Sequence, residues 1–194
     1  MRPLAVALTG GVAAGKSEAL RSFARRGAAV ESSDDVVHRL YREDEGLQAA
    51  LRDRWGERVF AGGEVDRAEV GRIVFAERGE LDWLEGELHP RVRAAVTAWL
   101  EGVRAQADPP ALAVVEIPLL YETGGESRFE RVVVVTAPAE VRAGRRAGID
   151  ERQARLVPDE VKLARADFGY VNDGSLEQLD AFVASVVREL TGGP

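Results

Sequence analysis

The run Gly10-Gly11-Val12-Ala13-Ala14-Gly15-Lys16-Ser17 satisfies the pattern G-x-x-x-x-G-K-[ST], and its residue types are those that hold a phosphate. It sits between a short apolar run at 4–8 and a helix-like stretch at 17–26. In a strand–turn–helix setting, glycines let successive main-chain N–H groups converge on a phosphate, and the helix N-terminus adds partial positive charge. Lys16 has the reach for the β- and γ-phosphates, and the Ser17 hydroxyl suits a magnesium ion lying between them. Glu18 follows directly, so residues 11–18 form the expected nucleotide-binding stretch. An incidental glycine-rich turn is the competing account, and the strand before and helix after argue against it. The chain reads as a binder of nucleoside triphosphate.

Other residues have chemistry that fits beside such a loop. Glu116 ends an apolar run, where a carboxylate can steer Mg²⁺ or its water shell; a helix-capping or structural role fits the same position. Asp34 and Asp35 follow the second apolar run, where ligands of doubly wound sheets sit, and a carboxylate there can take the proton of an attacking hydroxyl. Asp34 and His38 are spaced i, i+4 and share a helical face; the alternative is that Asp34 only caps the helix it opens. Arg142, Arg145, Arg146, Arg152 and Arg155 crowd the segment after the fourth run, with Arg142 and Arg146 on one helical face. Positive charge on a lid that excludes water is what phosphoryl transfer needs. The acids Asp150, Glu151, Asp159 and Glu160 leave open a plain solvated face. His89-Pro90 marks a helix break or kink, and a lone histidine there is more often a packed, hydrogen-bonded residue than a ligand.

These residues need a scaffold. Short, β-branched, non-alternating runs at 4–8, 28–30, 112–117, 132–136 and 169–171 predict five buried parallel strands with helices between them, an α/β doubly wound sheet. Residues 1–33 and 111–194 make the nucleotide-binding core, with the lid at about 138–158. Residues 34–110 are far longer than a normal crossover and predict a helical insertion for the acceptor substrate, with helices at 34–42, 46–55, 66–76 and 79 to about 105. Asp66 is placed to cap its helix, Gly27 to end the first, and Trp55, Trp83 and Trp99 to fill the insertion's core.

Composition narrows the function class. A formal net charge of −7 over 194 residues argues against a nucleic-acid partner held by a general electrostatic footprint. No apolar run is long enough to span a bilayer, and Met1-Arg2-Pro3 shows no leader pattern before the first strand, so a cytoplasmic protein is expected. The absence of cysteine removes disulfide and thiolate chemistry, and two histidines leave little for a His-rich metal site.

Taken in order, these segments resemble the dephospho-CoA kinase family of P-loop kinases. Leu8-Thr9-Gly10-Gly11, Ser33-Asp34 followed by His38, Gly63-Glu64-Val65-Asp66-Arg67 with Ile73-Val74-Phe75, Leu88-His89-Pro90, Glu116-Ile117-Pro118-Leu119-Leu120-Tyr121-Glu122, Ala166-Asp167 and Asn172-Asp173-Gly174 carry the resemblance across nearly the whole chain. It implies a five-stranded P-loop kinase core and transfer of the ATP γ-phosphate to the 3′-hydroxyl of dephospho-CoA, with Mg²⁺ and a monomer as the acting unit. It also implies that Asp34 acts on that hydroxyl, that Arg142 and Arg146 come from the lid, and that the Asn172 loop approaches adenine. His38, His89, Pro118 and Leu119 fall to the acceptor, and Ser17 and Glu116 to the metal.

The chain departs from the pattern. Ala13-Ala14 replaces Gly-Ser, and Ala13 is unstrained only if its φ is negative. Glu18 stands where a small residue or Thr is usual, Ser32 replaces the first acid of Asp-Ala-Asp, and the lid is shorter. Two other readings remain at this stage: a kinase for another small hydroxyl acceptor such as a nucleoside or sugar acid, and a nucleotide-responsive binding protein with a weakened kinase site.

Overall fold

Strands with no polar face are stable only where helices cover them. The five apolar runs form one sheet whose three central strands are buried. The two edge strands, expected to be buried, are mostly half-buried or exposed because each pairs on one side only. The computed structural model of the chain describes residues 2–145 and 156–193. Its strands β1 (Leu4–Thr9), β2 (Ala29–Ser32), β5 (Leu112–Glu116), β6 (Arg131–Thr136) and β7 (Phe168–Val171) all pair in parallel, in the order β2-β5-β1-β6-β7. The predicted fifth strand, the least apolar of the set, is the sheet edge beside β6. Helices α1 (Lys16–Arg25), α6 (Ala139–Arg145), α7 (Asp159–Ala164) and α8 (Leu176–Thr191) belong to the same unit.

Contacts divide the chain into two compact units, one of residues 1–32 and 100–194, the other of residues 33–99. In the sheet unit, Val6, Leu8, Val114, Val133 and Val135 pack with Phe23 of α1 and Leu179, Val183 and Val186 of α8. Phe23 is fully buried, and full burial of such a side chain contributes about 1.5–3 kcal/mol. Tyr170 of β7 stacks on Phe182 of α8 at 4.7 Å. Two acids immediately precede β6 and β7: the Glu130 carboxylate accepts the Ala5 amide at 2.7 Å, and the Asp167 carboxylate accepts the Val132 amide at 2.7 Å. Each extends the ladder by one bond beyond the strand itself. Ala166-Asp167, one of the resembling segments, thus has a structural role at the sheet edge.

Helix α1 ends as its sequence implies. Gly27 adopts φ 82°, and its amide bonds to the Ala24 carbonyl at 3.0 Å. Helix α8 starts with a reciprocal capping box between Ser175 and Gln178. The two helices are joined by Asp180, whose carboxylate accepts from Arg26 Nη2 at 2.6 Å, Ser22 Oγ at 2.7 Å and Arg25 Nη2 at 2.9 Å.

The other unit comprises α2 (Ser33–Glu43), α3 (Glu45–Trp55), a two-stranded antiparallel hairpin of β3 (Phe60–Ala61) and β4 (Glu64–Val65), α4 (Arg67–Ala76) and most of α5 (Arg78–Arg104). The hairpin was not expected from the sequence. Its signal was Gly62-Gly63, whose φ values of 60° and 88° both lie in the left-handed region that a tight two-residue turn requires. Asp66 caps α4 as predicted, accepting from Ala68 and Glu69 amides. Leu47, Leu51, Trp55, Val59, Val70 and Val74 form the core, with Trp83 set edge-on to Trp55 at 4.9 Å. Trp55 Nε1 donates to Glu80 at 2.6 Å. Trp99, expected in this core, is half-buried and not part of the cluster.

Of the break or kink expected at His89-Pro90, a break does not occur: α5 continues through Pro90. The proline ring crowds the carbonyl four residues back, which here belongs to Gly86, the most permissive residue for the required adjustment. In the same turn Arg91 donates to the Glu87 carbonyl at 2.8 Å and to its carboxylate at 2.6 Å, holding the helix together.

The three donors around Asp180, with Arg26 foremost, hold its carboxyl well below the usual aspartate range. A carboxyl depressed in the folded state gives stability that is present above the unfolded value and lost as pH falls toward the folded one. Asp180→Asn is therefore expected to lower Tm at neutral pH and to flatten the fall of Tm below about pH 4; thermal melts from pH 2 to 6 make the comparison.

Candidate active site

Helix α1 begins at Lys16, with Gly15 at its N-cap in the left-handed region, φ 105°. Gly15 offers no capping side chain, so the first-turn donors that a Ser or Asp would satisfy stay available to an anion. The Gly15 carbonyl takes the Glu18 and Ala19 amides at 3.1 and 3.0 Å, which fixes the helix start. At the other end of the loop, a Cβ on Gly10 would stand 1.8 Å from the Val135 carbonyl oxygen. Only glycine lets the chain leave β1 this close to β6.

Turning amides inward turns carbonyls outward, and three of these are held by side chains. Lys16 Nζ donates to the Gly11 carbonyl at 2.8 Å, Arg145 Nη1 to Ala13 at 3.2 Å, and Asn172 Nδ2 to Ala14 at 2.8 Å. Asn172 is 2% exposed and follows β7, where its own amide extends the ladder to the Thr136 carbonyl at 2.7 Å. The Nδ2 group thus supports the loop. Ala13 has φ 56°, the only positive value among described non-glycine residues. The condition for an unstrained alanine is not met, and the left-handed conformation costs about 1–2 kcal/mol.

The loop lines a hollow of about 420 Å³ together with Glu18, Arg21, Arg145, Asn172, Leu176 and Leu179. Leu176 is 62% exposed, an apolar surface at the rim of a polar cradle. The Glu18 carboxylate is held by Arg21 at 2.7 Å and Arg25 at 3.2 Å, and the Arg21 hydrogen bond chiefly keeps its pKa below the usual value. Its charge is therefore compensated before any phosphate arrives.

Arg142 of α6 is buried and ion-paired to Asp159 at 3.1 Å. Arg145 was named within the arginine cluster but not assigned to the loop; helical periodicity pairs 142 with 146, whereas only the tertiary contact reveals 145. Arg146, Arg152 and Arg155 lie outside the described residues. Glu116, the last residue of β5, is buried and in register with Leu8 of β1 and Ser32 of β2. Pro118 and Leu119 lie in the turn just beyond, where the Pro118 carbonyl accepts from Thr9 Oγ1 at 3.4 Å.

The remaining candidates belong to the second unit. Helix α2 starts at Ser33, one residue before expectation, so Asp34 is an exposed first-turn residue and not the cap. His38 lies one turn on, and His89 is half-buried on α5. A groove of about 290 Å³ in this unit is lined by Val36, Arg39, Leu40, Glu43, Asp44 and Ala95; Asp34, His38 and His89 do not line it.

Among the described residues no group of three His, Cys, Asp or Glu side chains could hold a metal, and no helix is long and apolar enough to cross a membrane. Ser17 and Glu116, the two expected ligands, offer hard oxygen donors only. That set fits Mg²⁺ carried largely by substrate phosphates and water, the usual mode for this ion.

Residues 4–178 match a family model described as dephospho-CoA kinase. A dephospho-CoA kinase of Mesorhizobium japonicum is 40% identical over 197 residues, covering 97% of this chain and 98% of the relative. The crystal structure of a Thermus thermophilus protein superposes with a TM-score of 0.79 at 32% identity, covering 99% and 100% of the two chains. A dephospho-CoA kinase of Campylobacter jejuni superposes at 0.74 with 24% identity, a likeness of fold, over 97% of each chain.

Relieving the strain at Ala13 gives a direct check on the loop. Ala13→Gly is expected to stabilise the protein by about 0.5–1 kcal/mol net of the added unfolded-state entropy, raising Tm by about 2 °C; an unchanged or lowered Tm in calorimetry would contradict the left-handed assignment.

Proposed function

Because the chain belongs to the dephospho-CoA kinase family, and is accordingly a kinase acting in coenzyme A synthesis, we propose that ATP is its phosphoryl donor and that the residues above divide the work as follows. The first-turn amides of α1 and the Lys16 ammonium hold the triphosphate. Arg142 and Arg145 add positive charge from α6. Ser17 and Glu116 would hold Mg²⁺, which would supply charge neutralisation at the triphosphate when bound. Asp34 accepts the proton of the 3′-hydroxyl as its oxygen bonds to the γ-phosphorus. The bond from that phosphorus to the β–γ bridging oxygen breaks, and ADP leaves. His38 and His89 serve the acceptor from the helical unit, and Pro118 and Leu119 from the sheet unit. We take the acting unit to be a single chain.

The observation that carries this reading is the phosphate loop itself. A side-chain-free N-cap, a left-handed Gly15 and a lysine curled onto Gly11 form an anion cradle with a hollow beside it. Positioning and charge neutralisation account for the catalysis, since phosphoryl transfer asks little covalent chemistry of the protein.

The founding test is incubation with Mg-ATP and dephospho-CoA, followed by mass detection of CoA. Product dependent on both substrates is expected, and its absence from folded protein rejects the assignment. Lys16→Ala is expected to lower turnover by about two to three orders of magnitude with Tm within a few degrees of wild type, read by steady-state kinetics and thermal melts. Asp34→Asn is expected to cut kcat by about 10²–10⁴ with little change in calorimetric ATP affinity, because a general base contributes to the step and not to nucleotide binding. Wild-type kcat in that variant removes Asp34 from the mechanism.

A further inference from the structure

Arg142 is nine-tenths buried, and its Nε meets no hydrogen-bond acceptor. Its Nη1 instead lies 3.1 Å from Asp159 Oδ2, the two side chains being 11% and 17% exposed. A Cβ built on Gly11 would stand 2.8 Å from Arg142 Nη1 and 3.2 and 3.3 Å from the two Asp159 oxygens. The ion pair therefore rests on the phosphate loop at Gly11. In the sequence Asp159 stands out only as one of the acids that suit a plain solvated face.

The position of Asp159 is itself fixed. Lys162 lies one turn further along α7, and residues three apart share a helical face. Lys162 is wholly buried with Nζ 2.8 Å from Glu122 Oε1, and the same oxygen accepts the Val157 amide at 3.0 Å. Its Nζ makes a contact ion pair there without hydrogen-bond geometry. These contacts bracket α7 against the turn that follows β5. An unpaired arginine samples many rotamers, whereas one held at a single Nη keeps the rest of its fork for another oxygen acceptor. A carboxylate beside a triphosphate opposes the anion it faces, so its presence at Gly11 is accounted for by what it does to Arg142.

We infer that Asp159 is a positioning residue for phosphoryl transfer, holding the Arg142 guanidinium over Gly11 and acting through that arginine, not on the substrate. The inference rests on the reading of Arg142 as a partner of the transferred phosphoryl group. Steady-state kinetics with ATP and dephospho-CoA on Asp159→Asn, Asp159→Glu, Arg142→Ala and the double variant Arg142→Ala/Asp159→Asn separate the two. Asp159→Asn is expected to lower kcat about 10- to 100-fold while KM for ATP holds or falls, a split that general loosening of the loop does not produce. In the Arg142→Ala background the same change should alter kcat less than about 2-fold. Asp159→Glu, which keeps the charge, should retain more activity than Asp159→Asn. Wild-type kcat in Asp159→Asn, a further tenfold loss in the double variant, or a reversed Glu/Asn order overturns the inference. Wild-type kcat in Arg142→Ala overturns the underlying reading and the inference with it. Should Asp159→Asn not fold, as judged by circular dichroism, Asp159→Ser takes its place in the same comparisons.

Discussion

A chain that aims its amides into a phosphate site must find donors for the carbonyls it thereby turns away. In this protein one of those donors is local, Lys16 to Gly11, and two come from distant parts of the sequence, Arg145 to Ala13 and Asn172 to Ala14. Buried backbone acceptors left without partners are costly, so the loop's open shape depends on α6 and on the residue after β7 as much as on its own glycines. The sheet order makes this possible. β1 is central, and β6 and β7 follow on one side, bringing the Asn172 segment to the loop's level.

The same dependence explains how the loop tolerates Ala13. A left-handed alanine persists only where its surroundings over-determine it. Its carbonyl is held by Arg145, and its neighbour's carbonyl by a buried asparagine, so the strained residue lies between two fixed points. Charge is managed in a comparable way. Glu18, an acid in the lining of an anion site, is offset by Arg21 and Arg25, and Asp159 by Arg142. The nucleotide cradle of this acidic protein is thus locally balanced before any ligand arrives, although the whole chain carries a net charge of −7.

Much of this was legible along the chain because the relevant signals are local. The phosphate-loop pattern, the five apolar runs, the Gly27 helix end and the Asp66 cap each depend on residues within a few positions of one another. The hairpin at Gly62-Gly63 was equally local but overlooked beside longer helical patterns. Pro90 suggests a break or kink because the proline rule is local too, whereas the helix runs on through it. Arg145, Asp159 and the buried Lys162–Glu122 pair were not legible as site residues, since charged residues in a polar stretch look alike whether solvated or paired.

The sequence by itself determined the elements, the position of the phosphate loop between strand and helix, and the family, because these follow from periodicity, backbone permissiveness and the order of short motifs. Tertiary structure decided which side chains support that loop: Asn172 from after β7, Arg145 from α6, and Asp159 against Arg142 over Gly11. The reason is physical. Helical and strand preferences act over a few residues, but the partner of a carbonyl or charge is whatever group the folded sheet brings into hydrogen-bond reach, and here Arg145 and Asn172 stand more than a hundred residues along the chain from the carbonyls they hold.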